Sequence, residues 1–562
     1  MKFVKALALA SVATAAIVTG APTVAAVPQV RDLDRAPASP AMPHRVAAAD
    51  ESGLAAPDVP LALSDPAVAD DRVSKIVEQL RQRNFDQALL MAQVLEEERP
   101  GSALPLHMQA LALWATDQHS QAIQRLEDAR RLAPRDFGVS YDLARFLRAA
   151  GQTEAAREII EQALEIHAGS TRLKLELARI HGSQDDREAM RRELTEILEI
   201  DPGVSEARVY LARLQLLAGD GARAIRTVRA APDRQAGSPE LLEALGQAQL
   251  AVGRADQAAA TFERLTRTAP NAPGGYLAAG QAHLANDDPA QAATWLAKAH
   301  TLAPESKPVQ LTLAEAQIRA GDGRQAGGLI AALEAAHPDD ADVVALRGRY
   351  AFAVEGDTAA AERAYRRALD LQAREEFAVR LARLQLHRGR VDAAGATLQA
   401  WIAAHPESRQ ARQAAGEIQL AQADHAGAVQ TYAQLVELAP GNAGYLNNLA
   451  WSLAETNALD EALTAAEKAA AAAPNQPAIL DTLGNVLLKL NRTDAAVATL
   501  RKAVDLAPGR DDIRLTYAEA LAAAGKAEEA RAELRRIDGD RLPHAIEQRR
   551  LSLSDHLSVN AQ

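Results

Sequence analysis

From Ala478 to Pro508 apolar residues fall at three- and four-residue spacing, first at Leu480, Leu483 and Leu487 and then at Val497, Leu500 and Val504. Each run predicts one amphipathic helix with its apolar stripe turned to a neighbour. Between the runs stands Asn491, and the same place in other stretches holds Asn457 or a glycine: Gly151, Gly219, Gly253, Gly321, Gly389 or Gly525. Asparagine and glycine tolerate the left-handed conformation that ends a helix, so each marks a tight turn. The unit is helix, turn, helix.

This unit recurs every 34 residues. Alanine returns at Ala88, Ala122 and Ala156, then from Ala224 through Ala360 to Ala530, with Met190 the one break. A second series, twelve residues out of step, admits only alanine or glycine from Ala110 through Gly246, Gly280, Gly416 and Gly484 to Ala518. Small side chains at both places let antiparallel helices approach closely. Proline follows the second helix at Pro100, Pro134, Pro202 and onward at multiples of the period, where it blocks continuation. Three departures are local. Ile76 replaces the small residue in the first repeat, Gly182 comes early before Met190, and one turn glycine is displaced to Gly356 with the frame expected back in step at Ala360.

A 34-residue helix-turn-helix with small and proline marks in this order resembles the tetratricopeptide repeat. The resemblance implies an all-α fold, a superhelical α-α solenoid of about fourteen repeats spanning residues 69–544. Residues 545–562 are expected to form a capping helix and tail, with Ile546, Leu553 and Leu557 on one face, Gln548 and Asp555 on the other, and Arg550 interrupting the apolar side. An uninterrupted repeat makes one elongated domain, and the 3% aromatic content fits alanine-dominated helix packing.

The start of the chain changes the picture of where it acts. Lys2 and Lys5 precede an apolar run to about Val18, followed by Val24 and Ala26 as the short pair before a cleavage point. Residues 1–26 thus read as a secretory signal peptide, the apolar run being short of the ~20 residues that span a bilayer. Residues 27–68, rich in alanine and proline, read as a disordered linker. With no cysteine there is neither a disulfide framework nor a lipid-anchoring site, so the expected location is the periplasm or the medium, with no transmembrane segment after signal removal. A net charge of -12 argues against nucleic-acid partners.

No catalytic signature appears: no HExxH, GxSxG or GxxxxGK[ST], and no cysteine nucleophile. His337 and His405 occupy equivalent AAHP turns two repeats apart, too far in the chain pattern to share a metal. The expectation is a non-enzymatic protein without cofactor or metal.

The tetratricopeptide resemblance implies that the first helix of each pair lines a concave groove, so candidate binding residues come from there. One register holds Arg145, Arg179 and Arg213 in successive repeats, then Arg349 and Arg383, with Tyr141, Arg148 and Arg172 beside them. Two readings are open for these ladders. Guanidinium groups would grip an extended anionic ligand, an acidic polysaccharide or peptide; equally, Asp142 and Glu176 lie three residues before Arg145 and Arg179, the spacing of same-helix ion pairs. Arg213 has no such acid and is the better ligand candidate. Nearer the C-terminus, Asn447, Asn448, Trp451, Asn485 and Lys489 offer amides and a ring to a peptide, or serve as packing residues. The carboxylate-gripping clamp of some relatives is incomplete, because the following repeat offers Asp512 and Thr516.

The run from Gly444 to Pro508 is also similar to the C-terminal repeats of exported bacterial tetratricopeptide proteins linked to exopolysaccharide assembly and PEP-CTERM sorting. Those relatives often carry an anchoring cysteine or an outer-membrane barrel, which this sequence does not show. The expectation is therefore a periplasmic or secreted scaffold holding proteins or peptides in its groove, in envelope assembly or exopolysaccharide export, the alternative being direct binding of an acidic polysaccharide along the arginine ladders.

Overall fold

The computed structural model describes residues 71–537 and 544–559, so the signal-peptide and linker readings lie outside the described residues. All regular structure among the described residues is α-helical, in twenty-nine helices. They fall into two compact units, one ending at Ala320 and the other beginning at Gly321. The first holds seven helix pairs, from Asp71–Arg81 with Phe85–Glu98 to Pro273–Ala285 with Pro289–Leu302, and then Lys307–Ala320. The second opens with Gly323–Ala336 and holds six pairs, from Ala341–Ala353 with Thr358–Leu371 to Asp511–Ala523 with Ala527–Leu534, closed by His544–Val559.

Within each unit the two helices of a pair form different layers. Helix Ala103–Ala115 buries ten residues, whereas its partner His119–Leu132 buries four, so the first helix is the inner one. First helices of neighbouring repeats also pack on each other, as Ser205–Leu217 does on Pro239–Ala251 and Ala443–Glu455 on Pro477–Lys489.

Close approach inside a pair depends on the small positions. A Cβ placed on Gly246 would lie 2.5 Å from the Phe262 ring, and one on Gly416 would lie 2.9 Å from the ring of Tyr432. Glycine on the first helix thus meets a large residue sixteen positions on, in the second. In the same register the first repeat reverses the sizes: Ile76 is buried on the first helix and Ala92 on the second. The break at Met190 is absorbed locally as well, since its sulfur lies 3.1 Å from where a Cβ on Gly182 would stand. Gly182 therefore makes room for Met190, and it is Asp185, not Gly182, that turns the chain, with φ 57°.

The left-handed turn residue recurs in every pair, at Arg83, Asp117 and Gly151 and so on to Gly525. The amide after it closes the helix end, as when Gln152 N donates to the Leu147 carbonyl at 2.8 Å. Between Ala341–Ala353 and Thr358–Leu371 the turn residue is Gly356, and Asp357 N reaches back one residue further, to the Ala351 carbonyl. Contrary to the expected return to step at Ala360, the displacement persists through helix Thr358–Leu371: Ala361 takes the fully buried place. A connection of only three residues then restores the frame at Glu375. The fifth second helix, Gly221–Arg229, has nine residues and ends ahead of Pro232, whose ring disfavours helical backbone before it.

The last helix, His544–Val559, seats Ile546 and Leu557 in the core with Leu553 packed against it, and leaves Gln548 and Asp555 exposed, matching the faces expected of a cap. Arg550 turns aside to pair with Glu547 at 2.6 Å.

One turn position carries strain that can be removed. Ala423 holds φ 57°, a conformation that costs an L-residue roughly 1–2 kcal/mol and glycine almost nothing. Ala423→Gly should raise the urea midpoint and melting temperature, by about 0.5–1 kcal/mol after the extra chain entropy of glycine is subtracted. A loss of stability would show that this turn is not strained.

Candidate functional site

The first arginine ladder sits on three consecutive inner helices, Phe137–Ala149, Thr171–Ser183 and Ser205–Leu217. Their acids Asp142 and Glu176 are fully buried, and the arginines are their counter-ions. Arg145 donates to Asp142 at 3.0 Å and Arg179 to Glu176 at 3.0 Å, the same-helix pairs that the spacing allowed. Two further links cross between repeats. Arg148 donates to Glu176 at 2.6 Å, and Arg179 pairs with Glu206. At the far end His107 Nε2 lies 2.9 Å from the other oxygen of Asp142. Burial works to lower the Arg179 pKa, but Glu176 and Glu206 outweigh it and hold the guanidinium above its ordinary range.

Tyr141 lies against this chain of charges. Its ring stacks on Phe137, with Arg172 4.8 Å and Arg145 5.5 Å from its centre. Arg213 differs from the others: half-buried on its helix, it has no hydrogen bond or ion pair among the described residues.

The later candidates divide differently. Arg349 is 5% exposed, which takes it into the interior and off the accessible face. Arg383 lies 3.9 Å from Glu417, a long contact, and its Nε and Nη1 find no hydrogen-bond partner. Trp451 is 4% exposed, packed with Leu420, Tyr432 and Leu435 and set edge-on to His425, so it is a core residue. Asn447 is buried beside it with an unpartnered Oδ1, and Asn448 interacts with the buried Tyr432 hydroxyl. Asn485 bonds to the Asp481 carbonyl of its own helix, and Lys489 reaches the preceding repeat at the Ala454 carbonyl and Glu455. The structure thus brings Tyr141, Arg145, Arg148, Arg172 and Arg179 into one cluster, and Asn447, Asn448 and Trp451 into another. No group of three or more metal-ligating side chains occurs among the described residues.

The tetratricopeptide repeat signature matches residues 113–180, 183–248, 283–350 and 487–547 in one form and 243–307, 351–409 and 414–477 in another. The chain belongs to the tetratricopeptide repeat family. As such it is a scaffold for protein-protein contacts. Solved structures with similarity to the chain include the APC/C hetero-tetramer Cut9-Hcn1, at 13% identity and TM-score 0.44, covering 89% of this chain and 98% of that one. Naa15/Naa10 bound to HypK-THB gives 13% and 0.38, covering 87% and 96%, and yeast Tom70 gives 16% and 0.38, covering 77% and 96%. No curated protein matches the sequence. No helix among the described residues is long and apolar enough to cross a membrane.

One feature of these tetratricopeptide repeats escaped the sequence reading. Asp481 is 3% exposed on the inner helix Pro477–Lys489, and its Oδ1 has no hydrogen-bond partner. Burial first, and then the neighbouring Asp512, push its carboxyl up to about 7, against smaller opposing effects of Thr516, Arg549 and Arg510. The available signal was an acid next to Leu480 within the apolar run, one repeat before the acid and hydroxyl of Asp512 and Thr516.

Because the folded-state pKa of Asp481 lies above its unfolded value of about 3.9, its contribution to stability is fully present below pH 4 and is lost as pH rises through 7. Asp481→Asn keeps the neutral shape at every pH. The variant should therefore melt near the wild type at pH 4 and be progressively more stable toward pH 8, by up to roughly 4 kcal/mol. A difference between the two proteins that does not change with pH would contradict this.

Proposed function

We propose that the chain is an exported, non-enzymatic scaffold that holds protein or peptide partners on its inner-helix face, in envelope assembly or exopolysaccharide export. The observation that carries this reading is the charge arrangement on that face. Arg145, Arg148 and Arg179 are committed to the buried acids Asp142 and Glu176 and to Glu206, leaving Arg213 as a free cation beside a pre-ordered polar surface. Ion pairs that lock side chains in place lower the ordering cost of binding a partner of complementary shape. The export half of the proposal rests on Lys2, Lys5, the apolar run and Ala26. The pathway rests on the similarity of the repeats from Gly444 to Pro508 to those of exported exopolysaccharide-system proteins.

An acidic polysaccharide following the arginine ladder is the second reading, favoured by Arg213 and by the unsatisfied donors of Arg383. It ranks second because such a polymer would compete with carboxylates already buried against the same guanidinium groups. Leaving those acids unpaired costs about 3–5 kcal/mol.

A photo-crosslinking residue at position 213, with a control at exposed Arg226 on helix Gly221–Arg229, separates these readings in intact cells of the source organism. Protein adducts from position 213 alone, recovered in the periplasmic or culture fraction, are the expected result. Carbohydrate adducts would favour the polysaccharide reading, and equal labelling from both positions would overturn the inner-face site altogether.

A further inference from the structure

The displaced ninth repeat builds a pocket that has no counterpart in the inner-face cluster. Helix Thr358–Leu371 carries Glu362 at its fifth position, where other second helices carry apolar residues such as Ile123, Ala259, Val429 and Leu463 or a basic one, Arg157, Arg191 or Arg531, and none of them carries an acid. Glu362 is 5% exposed. The left-handed turn at Gly389 presents the residues on either side of it to this one acid: Arg390 donates to both oxygens at 2.8 and 2.9 Å, and Arg388 pairs with Oε2. Arg366, one turn along the same helix, reaches Oε1 at 3.1 Å. Together with Ala359 and Arg363 these residues line a cavity of about 220 Å³, enough for several waters at about 30 Å³ each.

Charge in this cavity does not balance. Four guanidinium groups face one carboxylate, in a protein whose net charge is -12. Arg388 and Arg390 each use only Nη1 and Arg366 only Nη2, while Arg363 makes no hydrogen bond or ion pair. The Nε and remaining Nη donors of all four have no acceptor among the described residues. Asp357, whose carboxylate feels the Arg363 charge, accepts hydrogen bonds from the amides of Ala359 and Ala360 at its helix start and is not a lining residue of the cavity. A second carboxylate would offset one of the three excess charges, and a tetrahedral dianion offsets two and presents an oxygen to each of several forks.

We propose that this pocket is a binding site for a doubly charged tetrahedral oxyanion, the phosphate or sulfate group of a larger ligand. Glu362 serves as the buried anchor that holds Arg366, Arg388 and Arg390 in place, and Arg363 closes the site from the free side. The site lies on a second helix and a turn, so it is separate from the inner-helix surface and does not depend on the scaffold reading.

Titration calorimetry of the full chain at pH 8 with inorganic phosphate, and separately with inorganic sulfate, tests this against a chloride background of matched ionic strength. One saturable site for either ion supports the proposal, and the tighter of the two assigns the ester. Arg363→Gln removes no hydrogen bond or ion pair among the described residues and should fold as the wild type while weakening binding at least tenfold, and Arg363→Gln with Arg366→Gln should abolish it. Arg226→Gln should leave it unchanged. Absence of saturable binding by both ions, or equal weakening in Arg226→Gln, would overturn the site.

Discussion

Everything in this fold depends on how closely the two helices of a pair can approach, and that distance is set by one exchange of volume. A residue on the first helix and the residue sixteen positions later on the second share one space, and if one is large the other must be small. Gly246 faces Phe262, Gly416 faces Tyr432, and Gly484 faces Leu500. With sizes reversed, Ile76 and Ala92 occupy the same register. Interiors packed near crystal density leave no slack for both members to be large, and the pair Ala450 with Ala466 is small at both places. The tight pair then allows a sharp left-handed turn, and the turn fixes which residues of the next helix face inward.

The polar chemistry follows from that layering. Inner helices are buried enough that acids on them, such as Asp142 and Glu176, need counter-ions, and the same helix and the preceding repeat stand near enough to supply them. Where supply fails, as at Asp481 beside Asp512, the carboxyl is driven toward its neutral form. Where a one-residue displacement turns an acid inward, as at Glu362, it collects more arginines than it can neutralise. The Glu362 pocket thus arises at a departure from the regular repeat.

Most of the fold was legible in the sequence, since period, small residues and turn glycines all report the same local geometry. The helix pairs, the glycine and asparagine turns and the faces of the last helix follow from it. The misreadings are places where two residues compensate. Gly182 looked like a shifted turn and instead makes room for Met190; Ala360 looked in step and is one place out, because the spacing of alanines cannot tell an inserted residue absorbed in a turn from one carried through a helix. Turns at Arg83, Asp117 and Ala423 were invisible, because tertiary packing imposes on them a conformation their side chains do not favour. The site was less legible. Same-helix spacing pointed to Asp142 with Arg145, but Arg148 with Glu176 and Arg179 with Glu206 join different helices, and no periodicity in one helix encodes the rotation between two. Trp451 and Arg349 lie on inner helices, as expected, yet both are buried, Trp451 among Leu420, Tyr432 and Leu435 of other helices.

The volume exchange can be tested by moving it. In the second repeat Ala110 and Leu126 hold the small and large places, both fully buried. Ala110→Ile and Leu126→Ala, made singly and together, convert this pair to the arrangement of Ile76 and Ala92, and chemical denaturation reads the result. The account predicts that each single change costs about 2 kcal/mol or more and that the double variant recovers most of the loss. Losses that simply add in the double variant would contradict it.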